Sequence, residues 1–261
     1  MHRLFINIFL CCFLFFGYSI TYAQSKSIII DDDLTTSAEV LKVKIGTAWG
    51  AKISKFKFGD YAVEKSKVGW SKTTQKANLL NTKSEYKEEY KYSFVLSNKT
   101  LDSATVNSMS NVLLKELHSF NLLSSDHFEF NIGSDEVLID SHFFTSFITT
   151  TSNKDETWYL ILEESSGSAE VFKNEGYLSD GVRLIKIIPA SSNKYGDDKR
   201  LFPALGFEFI EKEQSIGAMQ YFGGGALGYN KNMVWLKSDL EPRIKLILAA
   251  AMTSLMQLKS P

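Results

Sequence analysis

Residues 238–261 read SDLEPRIKLILAAAMTSLMQLKSP. Drawn as a helix, this stretch puts apolar side chains on every side: Ile244, Leu246, Ile247, Leu248, Met252, Leu255, Met256 and Leu258, with three alanines at 249–251 as a slim waist. A helix that is apolar all round is buried, either in protein or in lipid. Length separates the two. A membrane span needs about 20 apolar residues, and a run of about 10–14 reads as a core helix. Here Arg243 and Lys245 interrupt the start, and the uncharged run extends only from Leu246 to Leu258. The expectation is a buried helix over about 240–258, with a tail anchor or sorting signal as the alternative. Asp239 is expected to cap it by accepting from free backbone N–H groups, and Pro242 falls in the first turn, where a missing N–H costs nothing. Glu241 near the start and Lys259 near the end suit the helix dipole.

Most of the chain upstream alternates between apolar and polar residues. Leu41, Val43 and Ile45 share one face against Lys42 and Lys44. AKISKFKFGDYAVE alternates too, with a phase slip between Ile53 and Phe56 that suggests a bulge. YKYSFVLS, HFEFNIG, EVLIDSHFFTSFITT, TWYLILEE, SAEVFKN, VRLIKII, LGFEFIE, SIGAMQYF and NMVWLK are further strand-like runs. Turn signals such as SSGS, LSDG, SSNKYGDD and EKEQ separate several of them. About a dozen short strands at this spacing predict a barrel or sandwich. One stretch breaks the pattern: Val106, Met109, Leu113, Leu117 and Phe120 follow helical spacing, which predicts a helix near 110–118. The chain has only four prolines, and no Pro/Gly-rich linker divides it, so a single domain over 41–261 is the simplest account.

The first 23 residues carry a short basic start, an apolar run from Leu4 to about Ile20, and small residues where a signal peptidase reads. They predict a secretory leader cut after Ala23, and hence an exported protein, periplasmic or secreted. Cys11 and Cys12 both lie in that run, so the mature chain has no thiol for disulfides or metal. Loss of Arg3 leaves 28 basic against 30 acidic residues, and only Arg183, Arg200 and Arg243 remain as arginine. That balance lacks the footprint of a nucleic-acid binder. Residues 24–40 look like a polar lead-in, and Asp31, Asp32 and Asp33 read as solvated acids.

A dozen strands followed by a hydrophobic helix resembles the tubby C-terminal-like fold, most closely its phospholipid scramblase branch. VWLKSDLEPRIKLILAAAMTSLM has that branch's order of short strand, acidic cap, basic residue and central helix. Before it, LGFEFIEKEQSIGAMQYF resembles the family's hairpin of strand, polar turn and strand opening on a glycine. The likeness covers about 204–256 and implies a closed antiparallel barrel of about twelve strands around the buried C-terminal helix. It implies no calcium site here, because the acidic segment is replaced by Asn230 and Asn232 with only Asp239 and Glu241. The phosphoinositide patch of tubby proteins has no counterpart that the sequence locates, and an exported chain would not meet those lipids.

GGGALG at 223–228 matches G-x-G-x-x-G, but YNKNMVWLK after it reads as a strand, whereas the dinucleotide fingerprint requires a helix. Its glycines read as a connection needing positive φ or close backbone approach. As a loop on a rigid scaffold it is the candidate ligand-binding segment, through Gly223, Gly224, Gly225, Tyr229, Asn230 and Asn232. His127 with Glu129, and Asp140 with His142, supply at most two metal ligands each, short of the three or four a site needs. No GxSxG elbow supports a catalytic serine. Glu163 and Glu164 point to opposite strand faces. Trp158, Tyr159, Tyr221 and Trp235 read as core rather than as a ligand groove. No cofactor, metal or catalytic residue is assigned. The expected function is non-enzymatic binding of a lipid surface, envelope component or partner protein through barrel loops. A structural envelope protein and a hydrolase with a scattered site are the alternatives.

Overall fold

Alternating burial along the chain becomes one continuous sheet. The computed structural model describes residues 27–47, 50, 52–77, 83–99, 102–117, 120–125, 128–132, 136–164, 175–193, 203–224 and 231–259. The strands are β1 (Ala38–Lys42), β2 (Lys44–Gly46), β3 (Lys55–Phe58), β4 (Tyr61–Val68), β5 (Lys72–Ala77), β6 (Lys83–Ser97), β7 (Ser103–Leu117), β8 (Phe120–Ser125), β9 (Phe128–Ile132), β10 (Glu136–Thr150), β11 (Thr157–Glu164), β12 (Gly176–Ser179), β13 (Leu184–Ser191), β14 (Leu205–Glu211), β15 (Gln214–Phe222) and β16 (Met233–Lys237). Fourteen form one antiparallel sheet, ordered β1-β16-β15-β14-β13-β12-β11-β10-β7-β6-β4-β3-β2, with β5 also on β6; β8 and β9 pair separately. The ends of this path, β1 and β2, are consecutive in the chain, with only Val43 between them. Val43 N–H donates to the Asn232 carbonyl at 3.0 Å. A sheet whose two edges meet in one segment is nearly closed into a barrel, and closure removes the free edges that invite aggregation.

One face of most strands of the large sheet feeds the main core. Tyr92, Phe94 and Leu96 on β6, Phe144 and Ile148 on β10, and Trp158, Leu160 and Leu162 on β11 are buried at two-residue spacing. Three expectations are corrected here. The sheet has 14 strands rather than about twelve, because β5 (KTTQKA) and β12 (GYLS) are short and carry little apolar alternation. The helix expected near 110–118 is the second half of β7, a 15-residue strand paired along its length with β6 and through Ala104–Leu117 with β10. Small Ser108 fills an inward position of β7, so the period-two signal vanishes from the sequence. The phase slip falls at residues 52–54, just before β3, while the strand irregularity lies at Val63/Lys65 in β4. SAEVFKN lies outside the described residues.

The segment before β1 is packed, not a solvated lead-in. Asp31 accepts from Asp33 N–H at 2.8 Å and Leu34 N–H at 3.4 Å, capping the short helix α1 (Asp32–Ser37). Ile28 and Leu34 bury themselves in a second cluster with Ala190, Ala204, Ala218 and Trp235. Both faces of β15 are therefore covered, which is why its residues 215–220 are all buried.

The closing helix α2 (Pro242–Lys259) is buried at Ile244 and at every residue from 246 to 256. It packs against β7, β10, β15 and β16. Gly217 is flush with it: a Cβ there would sit 2.8 Å from Met252 Cε. Three buried hydroxyls, on Ser108, Ser146 and Ser254, bond one another at 2.8–3.3 Å between β7, β10 and α2. Tyr92 donates its phenol proton to the Ser254 carbonyl at 2.7 Å, and burial pushes that phenol's pKa far up, so it stays a neutral donor. Gln257 Oε1 accepts from Ser54 N–H at 3.2 Å. Such satisfied groups fix helix register in an otherwise greasy contact. The expected cap is displaced by two residues. The helix begins at Pro242, the Glu241 carbonyl accepts from Lys245 N–H at 3.0 Å, and Asp239 is exposed in the preceding turn. The first turn is tied instead by Arg243, whose guanidinium bonds Glu156; that carboxylate also accepts from Trp158 Nε1 at 2.5 Å and Asn153 Nδ2 at 2.8 Å. Among the described residues no helix is long and apolar enough to cross a membrane.

At one end of the sheet Asp102 joins two hairpins. Its carboxylate accepts from Ser103 N–H (2.8 Å), Thr151 Oγ1 (2.6 Å), Ser152 N–H (3.2 Å) and Ser152 Oγ (2.7 Å). Burial pushes its pKa up, but these bonds together outweigh burial and hold it below the ordinary 3.8. A carboxyl depressed in the folded state stabilises above its unfolded pKa, and that contribution is lost as pH falls through the folded value. Asp102→Asn is therefore expected to lower urea stability at pH 7, with the gap to wild type shrinking below about pH 4; an equal gap at both pH values contradicts the assignment. Ala250 is fully buried on the waist of α2. Ala250→Glu places an unpaired carboxylate there and is expected to abolish the cooperative thermal transition, as read by circular dichroism.

Candidate binding surface

Half of the expected glycine loop can be placed, and it is structural. Gly223 and Gly224 are buried with φ of 68° and 72°, in the left-handed region that favours glycine. A Cβ on Gly223 would lie 2.2 Å from the Pro203 carbonyl, so the backbone itself demands glycine there. The Gly223 carbonyl accepts from Lys231 N–H at 2.9 Å, and the Asn232 carbonyl serves the β1–β2 junction. Gly225, Tyr229 and Asn230 lie outside the described residues. Among the described residues the element after the loop is strand β16, where a dinucleotide site requires a helix.

Gln220, on β15, organises this corner and is fully buried. Its Oε1 accepts from Ile28 N–H at 3.1 Å, and its Nε2 donates to the carbonyls of Gly223 (3.2 Å) and Lys231 (2.6 Å). Nearby, Glu208 Oε1 accepts from Asp31 N–H at 2.9 Å. One side chain thus fastens the N-terminal segment and the glycine loop to the same strand.

Of the mature histidines only His142 can be placed. His142 is half-buried on β10, opposite Glu164 on β11; His118 and His127 lie outside the described residues. Among the described residues no three His, Cys, Asp or Glu side chains come together.

The outer wall of the sheet carries something the sequence reading missed. Phe143 and Phe147 on β10, Tyr159 and Ile161 on β11 and Tyr177 on β12 are each 42–45% exposed, or 46% for Ile161. They form a stripe by register. Phe147 faces Tyr159 with ring centroids 5.5 Å apart, edge to face, and Ile161 faces Tyr177. Asn107 sits opposite Phe147, and a groove of about 310 Å³ runs beside it between Lys67, Lys91, Met109 and Phe147. Gly69 also lines it, donating its N–H to the Lys91 carbonyl at 2.7 Å. Charges of both signs border the stripe: Lys91 pairs with Glu89, Lys186 with Glu175 at 3.1 Å, and Glu163 is exposed. Of the four aromatic residues read as core, Trp158 and Trp235 are buried and Tyr221 is partly buried, but Tyr159 faces solvent. The signal was available in TWYLILEE, which is apolar on both strand faces; a two-faced strand needs a cover on each side or leaves one apolar face bare.

No protein-family model, curated protein or solved structure matches the chain. The Gln220 knot yields a direct test. Gln220→Ala removes a partner from the buried Ile28 N–H, from the part-buried Lys231 carbonyl and from the Gly223 carbonyl, which keeps Lys231 N–H, and is expected to cost about 1–3 kcal/mol for each group left unsatisfied. Chemical denaturation checks the loss, and faster proteolysis before residue 38 checks that the N-terminal segment is what comes loose.

Proposed function

We propose that this chain is an exported, non-enzymatic binding protein built as a tubby-like barrel threaded by α2, and that it holds a partner protein of the cell envelope on its outer wall. Export rests on the leader-like residues 1–23. The threaded arrangement is supported by the burial of α2 on every side and by the two sheet edges meeting at Val43. If the helix occupies the interior, no lumen is left for a ligand, and binding belongs outside.

The observation that carries the reading is the bare stripe of Phe143, Phe147, Tyr159, Ile161 and Tyr177. Contiguous exposed apolar surface with a polar border marks an interaction site. Aromatic residues are also the side chains that dominate protein interfaces. The mixed-charge border favours a protein over an anionic bilayer, which Glu89, Glu163 and Glu175 would repel. This moves the binding surface from the loops expected from the sequence to the wall of the sheet.

Placing a photo-crosslinking residue at Thr145, between Phe143 and Phe147 on β10, tests it in the source cells. The expected result is one discrete protein adduct. Phe147→Ser with Tyr159→Ser should weaken adduct formation at least about tenfold, as truncation of paired aromatic anchors does, while the melting temperature holds. An undiminished adduct in the double variant, or crosslinks to lipid alone, overturns the proposal.

A further inference from the structure

We propose that the recess between β3 and β4 is a binding site for an acidic polysaccharide, independent of the aromatic stripe. The recess has a volume of about 330 Å³ and is lined by Lys52, Lys55 and Lys65 over Ile53 and Val63, with Glu64 and Ser66 completing it. Ile53 is 1% exposed and forms a firm floor, and Gln257 pins the adjoining Ser54 backbone at 3.2 Å. The recess is therefore built on anchored chain.

Its net charge is positive, with three lysines against one glutamate. Alternation on β3 turns Phe56 and Phe58 inward and leaves Lys55 and Lys57 exposed on the other face. On β2, Lys44 lies directly opposite Lys57. Like charges directly across two strands destabilise a sheet, so this pair works against the fold. Lys65 and Lys67 add two more exposed lysines along β4. Among the described residues none of Lys44, Lys52, Lys55, Lys57, Lys65 and Lys67 forms an ion pair. Of the nearby acids, Asp60 pairs with Lys99 at 2.5 Å, whereas Glu64 accepts from Ser97 Oγ at 2.5 Å and keeps its own charge in a recess where three lysines outnumber it. Glu64 is also the residue that β4 gains where its register with β6 shifts between Val63 and Lys65. A bulge of this kind re-aims neighbouring side chains and is common beside functional sites. All this stands in a chain whose net charge is −1, so the basic surface is a local concentration rather than a reflection of composition.

The shape of the charge selects the ligand. Alternate residues on a strand face lie about 6.7 Å apart, and neighbouring strands about 4.8 Å apart. Lys55–Lys57 and Lys65–Lys67 therefore make a lattice that continues from the recess along the wall. Separate ammonium point charges on flexible stems fit a chain of repeated carboxylate or sulfate groups better than one planar, bidentate partner, which arginine would serve. A bilayer cannot enter a recess, whereas one saccharide unit of a linear polymer can sit in it while its neighbours follow the strands.

Binding of the full mature chain to polygalacturonate and to heparin at low salt tests the assignment, read by calorimetry. The expected result is measurable binding that weakens steeply as salt rises. Lys55→Gln with Lys65→Gln should lose at least about tenfold in affinity, whereas Lys186→Gln, on the aromatic wall, should change nothing. Lys57→Gln should weaken binding and raise the melting temperature together, because it removes the like-charge pair with Lys44. No binding of either polymer by wild type, equal affinity in the Lys55/Lys65 variant, or binding only to anionic phosphatidylglycerol vesicles overturns the proposal. The stripe variant Tyr159→Ser with Tyr177→Ser, which leaves the groove shared by Phe147 and Lys67 intact, should keep full polymer affinity, so the two sites fail or survive separately.

Discussion

Burial of α2 on all sides is the constraint from which the rest of the structure follows. Eleven consecutive residues, 246–256, are withdrawn from water. Each large apolar side chain among them contributes on the order of 1.5–3 kcal/mol if fully buried. Such a helix needs cover, and β7, β10, β15 and β16 of the nearly closed sheet supply part of it. The close fit of Gly217 to Met252 sets how near the sheet comes. The Ser108–Ser146–Ser254 hydroxyls and the Tyr92 phenol then choose one register from the many that bare hydrophobic contact allows. Because α2 follows all sixteen described strands in the chain, the strands it touches are made before their core is complete. That ordering places a premium on a sheet with little open edge, and the β1–Val43–β2 junction leaves this one nearly closed.

The sequence showed the helix and most of the strands because both obey simple periods. The uncharged run from Leu246 to Leu258 and the alternation in LGFEFIE need no tertiary knowledge to read. It misled at β7 because Ser108 fills an inward position, hiding the two-residue period and leaving a spurious helical one. β5 was missed for a related reason: in KTTQKA polar residues face both ways, and its pairing with β6 comes from backbone bonds that leave no hydrophobic trace. Asp239 looked like a cap because acid, spacing and proline fit the rule; the helix starts at Pro242, and Arg243–Glu156 does the anchoring from a distant turn. Residues 27–37 read as polar because only Ile28 and Leu34 are buried, and they meet alanines and a tryptophan from four other strands or turns.

The candidate surfaces were less legible than the fold, for a physical reason. Core positions announce themselves by period, but an exposed aromatic residue in a strand has the same letter as a buried one. Tyr159 and Trp158 are neighbours and face opposite ways. Only the register, with Phe147 against Tyr159 and Ile161 against Tyr177, turns scattered residues into a stripe. The lysines of β2, β3 and β4 were equally hidden, since alternate lysines are what any solvated strand face shows.

A sheet with one face committed to a filled core has its other face free for function, and here that face is used unevenly. Over β14, β15 and β16 it is covered by the N-terminal segment and fastened by Gln220 and Glu208. Over β10, β11 and β12 it is apolar and bare, and over β2, β3 and β4 it is basic and bare. The first region shows that this chain can cover an apolar outer face with its own residues when stability is the only demand. Leaving Phe147 and Tyr159 exposed, and setting Lys44 against Lys57, are departures from that solution that make the free protein less stable than it needs to be. Departures of this kind concentrate at sites where a second molecule supplies what the fold withholds. Their placement on two walls, with β6 and β7 between them, leaves room for both to be filled on one barrel.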